Sequence, residues 1–185
     1  MSFKAISRTI TGWVGKFSDL DDDVRQMFYV ARTARLNAQA PYSNYYVGVA
    51  VQGQSHRIYS GCNVERASWT QTTHAEQNAI DSMVASEGPV KLIKLVLVAA
   101  PKDVSINFCL DESREREIWK VKFPEISVPC GHCLQCIWEN CYGDGSVKLY
   151  SLMPTGEVSM VTVDNAFPLR FGPADLDVDY GKIPT

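Results

Sequence analysis

At 185 residues with 45% hydrophobic content, the chain is long enough to bury a substantial core and short enough to make one domain the default. A formal net charge of −3 offers no electrostatic footprint for a polyanion, which argues against nucleic acid and acidic membrane surfaces as partners and for a small substrate. No stretch reaches the apolar length of a membrane span, and six cysteines without a secretory h-region point to a reducing compartment, where clustered cysteines serve metal binding or catalysis.

The first 17 residues, MSFKAISRTITGWVGKF, carry Lys4, Arg8 and Lys16, no acid, and apolar Phe3, Ile6, Ile10, Trp13 and Phe17. Two readings stand: a transit-peptide-like segment, or a short amphipathic helix packing Trp13 and Phe17 against the domain. The location is read as cytoplasmic, with mitochondrial as the alternative. Asp21 to Ala38 predicts a first core helix, with Val24, Met27, Phe28 and Ala31 as its apolar stripe and aspartates at the positive end of its dipole. YYVGVAVQG (45–53) and RIYSGCNV (57–64) predict two strands joined by a tight turn around Gly53. THAEQNAI (73–80) opens a second helix whose Ala79, Ile80, Met83 and Val84 recur at helical spacing.

KLIKLVLVAA (91–100) predicts a buried strand. Residues 101–127, including DESREREIW, are polar and charged and break the pattern, as an inserted surface excursion that is solvated or serves as a lid or partner-binding segment. After Cys130 a further helix places Leu134, Ile137, Trp138 and Cys141 on one face, and VKLYSLM (147–153) and EVSMVTV (157–163) supply two more strands. Helices alternating with strands predict an α/β layered sheet.

The chemistry lies at two helix starts. Thr73-x-x-Glu76 fits a capping box, which alone would account for the glutamate. Yet Cys130-x-x-Cys133 also opens a helix, and a helix N-terminus favours thiolate over thiol. His74, Cys130 and Cys133 would be three ligands of a tetrahedral zinc site whose fourth position is left to water, which is the catalytic rather than the structural arrangement. Glu76, on the same first turn as His74, would face that water as general acid/base, and the order H-x-E then P-C-x-x-C is the pattern of zinc-dependent deaminases. Cys-x-x-Cys-x-x-Cys also fits an iron–sulfur spacing, but Cys136, with Cys62, Cys109 and Cys141, reads more simply as a small buried residue or free thiol, and His132 as a helix-end polar residue.

Taken together, PYSNYYVGVAV (41–51), SGCNVERAS (60–68), THAEQNAI (73–80), PCGHCLQ (129–135) and FGPADL (171–176) resemble the zinc-dependent cytidine deaminases of nucleoside salvage. The resemblance implies a three-layer α/β/α fold around a mixed five-stranded sheet. It implies an N-terminal extension over residues 1–20 and a catalytic domain over 21–185 with an insertion at about 101–127. The implied activity is hydrolysis of cytidine and deoxycytidine to uridine and deoxyuridine plus ammonia, with one Zn²⁺ per chain.

By the same resemblance Asn63 and Glu65 bind the ribose 3′-hydroxyl, Tyr45 replaces a phenylalanine beside the substrate, and the backbone around Ala75 and Cys130 steadies the reacting group. Phe171 lies near a nucleoside site and can come from a neighbouring subunit of a homo-oligomer, dimer or tetramer. Trp69 stands where many members carry tyrosine, and Gln77 where members with three cysteine ligands carry arginine. Two thiolates and a neutral imidazole balance Zn²⁺, so an adjacent cation is not required here. The competing functions are a polynucleotide or nucleotide deaminase, an enzyme inactivating a cytosine-containing antibiotic, and a structural zinc protein. Glu76 argues against the last, because a structural site needs no general base.

Overall fold

The computed structural model describes residues 4–106, 128–153, 155–176 and 178–179. Strict alternation along the central strands decides which face each side chain serves. In chain order the strands are Gly12–Gly15 (β1), Tyr45–Gly53 (β2), Ile58–Cys62 (β3), Leu92–Pro101 (β4), Lys148–Leu152 (β5) and Val158–Thr162 (β6). They form one mixed sheet in the order β1-β6-β5-β4-β2-β3, in which only β4 and β5 pair in parallel.

One face takes Ala50 of β2, Val96 and Val98 of β4, and Tyr150 and Leu152 of β5 against helix α1 (Asp22–Leu36). Val24, Met27, Phe28 and Ala31, three or four residues apart, are the helix's contribution, each no more than 1% exposed. Gly48 permits the close approach, since a Cβ there would lie 2.0 Å from the Ala31 carbonyl oxygen. The alternate residues, Val49 and Val51 of β2, Leu95 and Leu97 of β4, and Leu149 of β5, face helices α2 (Ala75–Glu87) and α3 (Gly131–Asn140). A short helix α4 (Val163–Ala166) follows β6. The sheet thus has helices on both faces, in the expected three layers.

The sheet has six strands among the described residues, where five were expected. The additional one, β1, comes from the segment read as an amphipathic helix or a leader. Gly12 to Gly15 pair with Val161 to Val158 along the outer edge of β6, and Thr11 N–H donates to Asn165 Oδ1 at 3.1 Å. The physical reason is local: two glycines enclose Trp13 and Val14, both poor helix formers that suit a half-buried pleated edge. Phe17 does pack inward, edge-on to Phe28 at 5.7 Å between ring centroids. Of the excursion expected at 101–127, residues 107–127 lie outside the described residues, Cys109 with them. No described helix is long and apolar enough to cross a membrane.

Candidate active site

His74 is the N-cap of α2 and Cys130 the N-cap of α3, both in extended backbone at φ −77°, ψ 152° and φ −66°, ψ 164°. The capping-box reading of Thr73 and Glu76 is therefore corrected. Thr73 is not the N-cap: its carbonyl, which an N-cap offers to the first helical bond, accepts from Val64 N–H at 2.9 Å, and its N–H, which a capping-box glutamate needs, donates to the Val64 carbonyl at 3.0 Å. The helix starts one residue later, no side chain caps it, and Glu76 falls on its first turn with 5% exposure.

The two helix starts converge. His74 Nδ1 lies 3.5 Å from Cys130 Sγ and 3.3 Å from Cys133 Sγ. Among the described residues these three form the one group of His, Cys and carboxylate side chains able to hold a metal, with ligand atoms all within 4.8 Å of one another. A tetrahedral zinc with ordinary Zn–N and Zn–S lengths places its ligand atoms about 3.5–3.8 Å apart, so the donor set fits in both chemistry and spacing. Burial, the Glu76 carboxyl and Cys130 all raise the Cys133 thiol well above its ordinary value. A divalent cation reverses that balance and deprotonates a coordinating thiol outright. Cys136, one turn further along α3, is outside the group. Burial first, then Asp81 and Glu76, push its thiol up to about 11, so it stays neutral at neutral pH.

A cavity of about 720 Å³ opens in front of this group. His74, Ala75, Glu76 and Cys130 line one part of it, Asn63, Glu65 and Tyr45 another, and Val47, Leu97, Ala99, Leu152 and Met153 give it apolar walls. The Asn63–Glu65 stretch is tied on both sides. Gln39 N–H donates to Asn63 O and Glu65 N–H to Gln39 O, while Val64 bridges to Thr73 beside His74. Asn63 Oδ1 accepts from Val47 N–H at 2.9 Å and Nδ2 donates to Tyr45 O at 3.0 Å, which leaves the amide one further N–H.

Glu65 Oε2 accepts from Tyr42 N–H at 2.9 Å and Ser43 N–H at 3.2 Å, and Oε1 accepts from the Ser43 hydroxyl. Burial pushes this carboxyl up, but the bonds from the Ser43 hydroxyl and the two backbone N–H groups outweigh it and hold the group below its ordinary value.

Of the residues expected at the site, all but two line the cavity. Cys133 is fully buried behind it. Phe171 is 58% exposed and lies on the outer side of α3, where its carbonyl accepts from Gln135 Nε2 at 3.1 Å. Sequence reasoning passed over two residues. Ser43 sits inside the PYS stretch but was given no task. Arg35 is a charge on the buried stripe of α1, and a cation at such a position signals an interior polar partner. It is 3% exposed and donates to the carbonyls of Tyr46 at 3.2 Å, Ala100 at 3.0 Å and Pro101, joining the ends of β2 and β4.

Comparison with known proteins agrees with this geometry. Residues 22–147 match the family described as the cytidine and deoxycytidylate deaminase zinc-binding region. A cytidine deaminase of Sporosarcina psychrophila is 30% identical over 154 residues, covering 83% of this chain and 95% of that protein. A cytidine deaminase of Vibrio cholerae is 35% identical over 144 residues, but the chain spans only 37% of that longer protein. Among solved structures, the cytidine deaminase of Mycobacterium leprae superposes with a TM-score of 0.55 at 25% identity over 80% of this chain and all of that one. That of Burkholderia pseudomallei gives 0.58 at 24% identity, covering 79% and 97%. With a family match across more than half its length, a His/Cys/Cys group at paired helix starts and a buried glutamate beside it, the chain belongs to the cytidine and deoxycytidylate deaminase zinc-binding family.

Proposed function

We propose that this chain hydrolyses free cytidine and 2′-deoxycytidine to uridine and 2′-deoxyuridine with release of ammonia, in pyrimidine salvage. The observation that carries the reading is the placement of buried Glu76 beside the His74, Cys130 and Cys133 donor set on one wall of a cavity large enough for a nucleoside. His74, Cys130 and Cys133 would hold one zinc ion, which supplies Lewis acidity that makes water nucleophilic near neutral pH. Glu76 takes a proton from the water that attacks C4, delivers it to the ring nitrogen, and passes the second water proton to the amine as the C4–N4 bond breaks.

The far end of the cavity suits the sugar. A hydroxyl both donates and accepts, and the spare acceptor site on Glu65 with the spare N–H of Asn63 offers it both partners. A 3′-phosphate or a continuing polynucleotide would instead set like charge against Glu65. Tyr45 supplies an aromatic wall. The apolar strip of Phe171, Leu176 and Val178, each more than 40% exposed, supports a homo-oligomer, dimer or tetramer, in which that surface is covered. Free thiols at all the described cysteines fit a cytoplasmic setting, and the pairing of β1 into the sheet favours a retained N-terminus over a mitochondrial leader.

The test compares wild type with Glu76→Gln on cytidine, 2′-deoxycytidine, cytidine 3′-monophosphate and a single-stranded oligonucleotide. Wild type should deaminate the two nucleosides and spare the others. Glu76→Gln should stay folded and zinc-loaded while losing about 10²–10⁴-fold in turnover. A folded Glu76→Gln protein with near-normal turnover removes the mechanism, and preference for the oligonucleotide removes the substrate.

A further inference from the structure

Ser43 occupies a junction that the residues assigned so far do not explain. Its hydroxyl accepts from Tyr45 N–H at 3.0 Å and donates to Glu65 Oε1, and its own N–H joins Tyr42 N–H on Oε2. Ser43 and Tyr45 both line the cavity, so this chain of bonds connects the aromatic wall to the acid. An ionised carboxylate offers about four acceptor sites. Three are taken by the 42–43 turn, two on Oε2 and one on Oε1.

We infer that Ser43 is a positioning residue for ribose selection, its hydroxyl turning Glu65 so that a single acceptor site on Oε1 faces the cavity; this rests on the ribose reading above. Without that hydroxyl the carboxylate keeps only its Oε2 anchors and can swing about them, which blurs the direction from which it accepts. Ser43 touches neither the His74, Cys130 and Cys133 group nor Glu76 by any bond in the structure, so its effect falls on binding and not on the proton transfers.

Steady-state kinetics of the zinc-loaded enzyme on cytidine and 3′-deoxycytidine, for wild type, Ser43→Ala and Ser43→Thr, tests this. Ser43→Ala should raise KM for cytidine by about tenfold, the worth of one hydrogen bond to a charged group, and leave kcat nearly unchanged. KM for 3′-deoxycytidine, which has no hydroxyl to place, should hardly move, and Ser43→Thr should restore wild-type behaviour. If Ser43→Ala does not purify folded, Ser43→Cys, which keeps the size and weakens the donor, should give the same split at smaller amplitude. Equal rises in KM for both nucleosides, or a loss confined to kcat, overturn the inference while the ribose reading stands. A wild-type enzyme that treats cytidine and 3′-deoxycytidine alike overturns the ribose reading and this inference with it.

Discussion

The first turns of α2 and α3 face the same point but are held in opposite ways. The start of α2 is pressed onto the sheet: a Cβ at Gly61 of β3 would lie 2.3 Å from Ala79 N and 2.6 Å from Ala75 O, and the Val64–Thr73 bridge fixes the residue before His74. Among the described residues the start of α3 is not pressed against a neighbour. A Cβ at Gly131 meets none of them within 4 Å, and Cys130, Gly131 and His132 are exposed. That helix is secured further along, by Leu134 and Ile137 in the core, by buried Cys141 and by the Lys91–Asp144 ion pair at 2.7 Å beyond its end. The difference separates the two duties of the site. In the proposed reaction the helix that carries Glu76 is clamped at its working end, whereas the helix that supplies both thiols is held from its far end.

The largest effect should come from removing a thiol from the looser helix. Cys133→Ala should purify with little or no zinc and no deaminase activity, whereas Cys136→Ala should keep about one zinc per chain and most of its turnover, as metal analysis by mass spectrometry will show. Equal zinc loss in both variants would bring Cys136 into the metal site and end the three-ligand description.

Smaller, and aimed at the clamp itself, is the pair Gly61→Ala and Gly131→Ala. The methyl at position 61 meets backbone that cannot step aside, so that variant should lose about 1–3 kcal/mol, melt several degrees lower and turn over more slowly as α2 is displaced. The methyl at position 131 meets none of the described residues, and alanine suits a helix better than glycine, so its melting temperature should hold or rise slightly. Melting curves of the two proteins decide it. A Gly131→Ala protein that loses as much as Gly61→Ala would show that the two starts are equally constrained.

The smallest effect concerns the far anchor of α3. Hydrogen bonds from Lys91 and then from Ser146 lower the Asp144 carboxyl to about 2. Because its folded-state value lies below its ordinary 3.8, the stabilisation is complete above about pH 4 and is lost as the pH falls toward about 2. Lys91→Met should therefore be destabilised by less than about 1 kcal/mol at neutral pH, as expected of a partly exposed pair. The gap to wild type should close as the pH drops. Chemical denaturation at pH 7 and at about pH 1.5, below the folded-state value, measures it, and a gap that has not narrowed at the lower pH would assign the loss to packing of the lysine stem instead.

Much of this architecture was legible along the chain because it depends on local periodicity. The stripe of Val24, Met27, Phe28 and Ala31, the strand runs of β2 and β4, and the turn around Gly53 are each set within a few residues. What escaped notice depended on a partner far away in sequence. Four residues at Gly12–Gly15 carry too little pattern to announce a strand, and only the open edge of β6, some 145 residues later, makes them one. Thr73 looked like a cap because its hydroxyl stands at the proper spacing from Glu76, but Val64 had already taken its backbone.

At the site the division is similar. Residue chemistry and order, a histidine and glutamate at one helix start and paired cysteines at another, were enough to name a zinc-dependent deaminase and its His/Cys/Cys donor set, since ligand type belongs to the residues themselves. The tertiary structure alone decided that His74 Nδ1 comes within 3.5 Å of both sulfurs, that Cys136 is left out, and that Phe171 does not line the cavity of its own chain. It alone revealed that the 42–43 turn occupies three acceptor sites of Glu65. Distances between helix starts 56 residues apart, and the saturation of a carboxylate by a neighbouring turn, are set by how the sheet registers its strands and not by spacing along the chain.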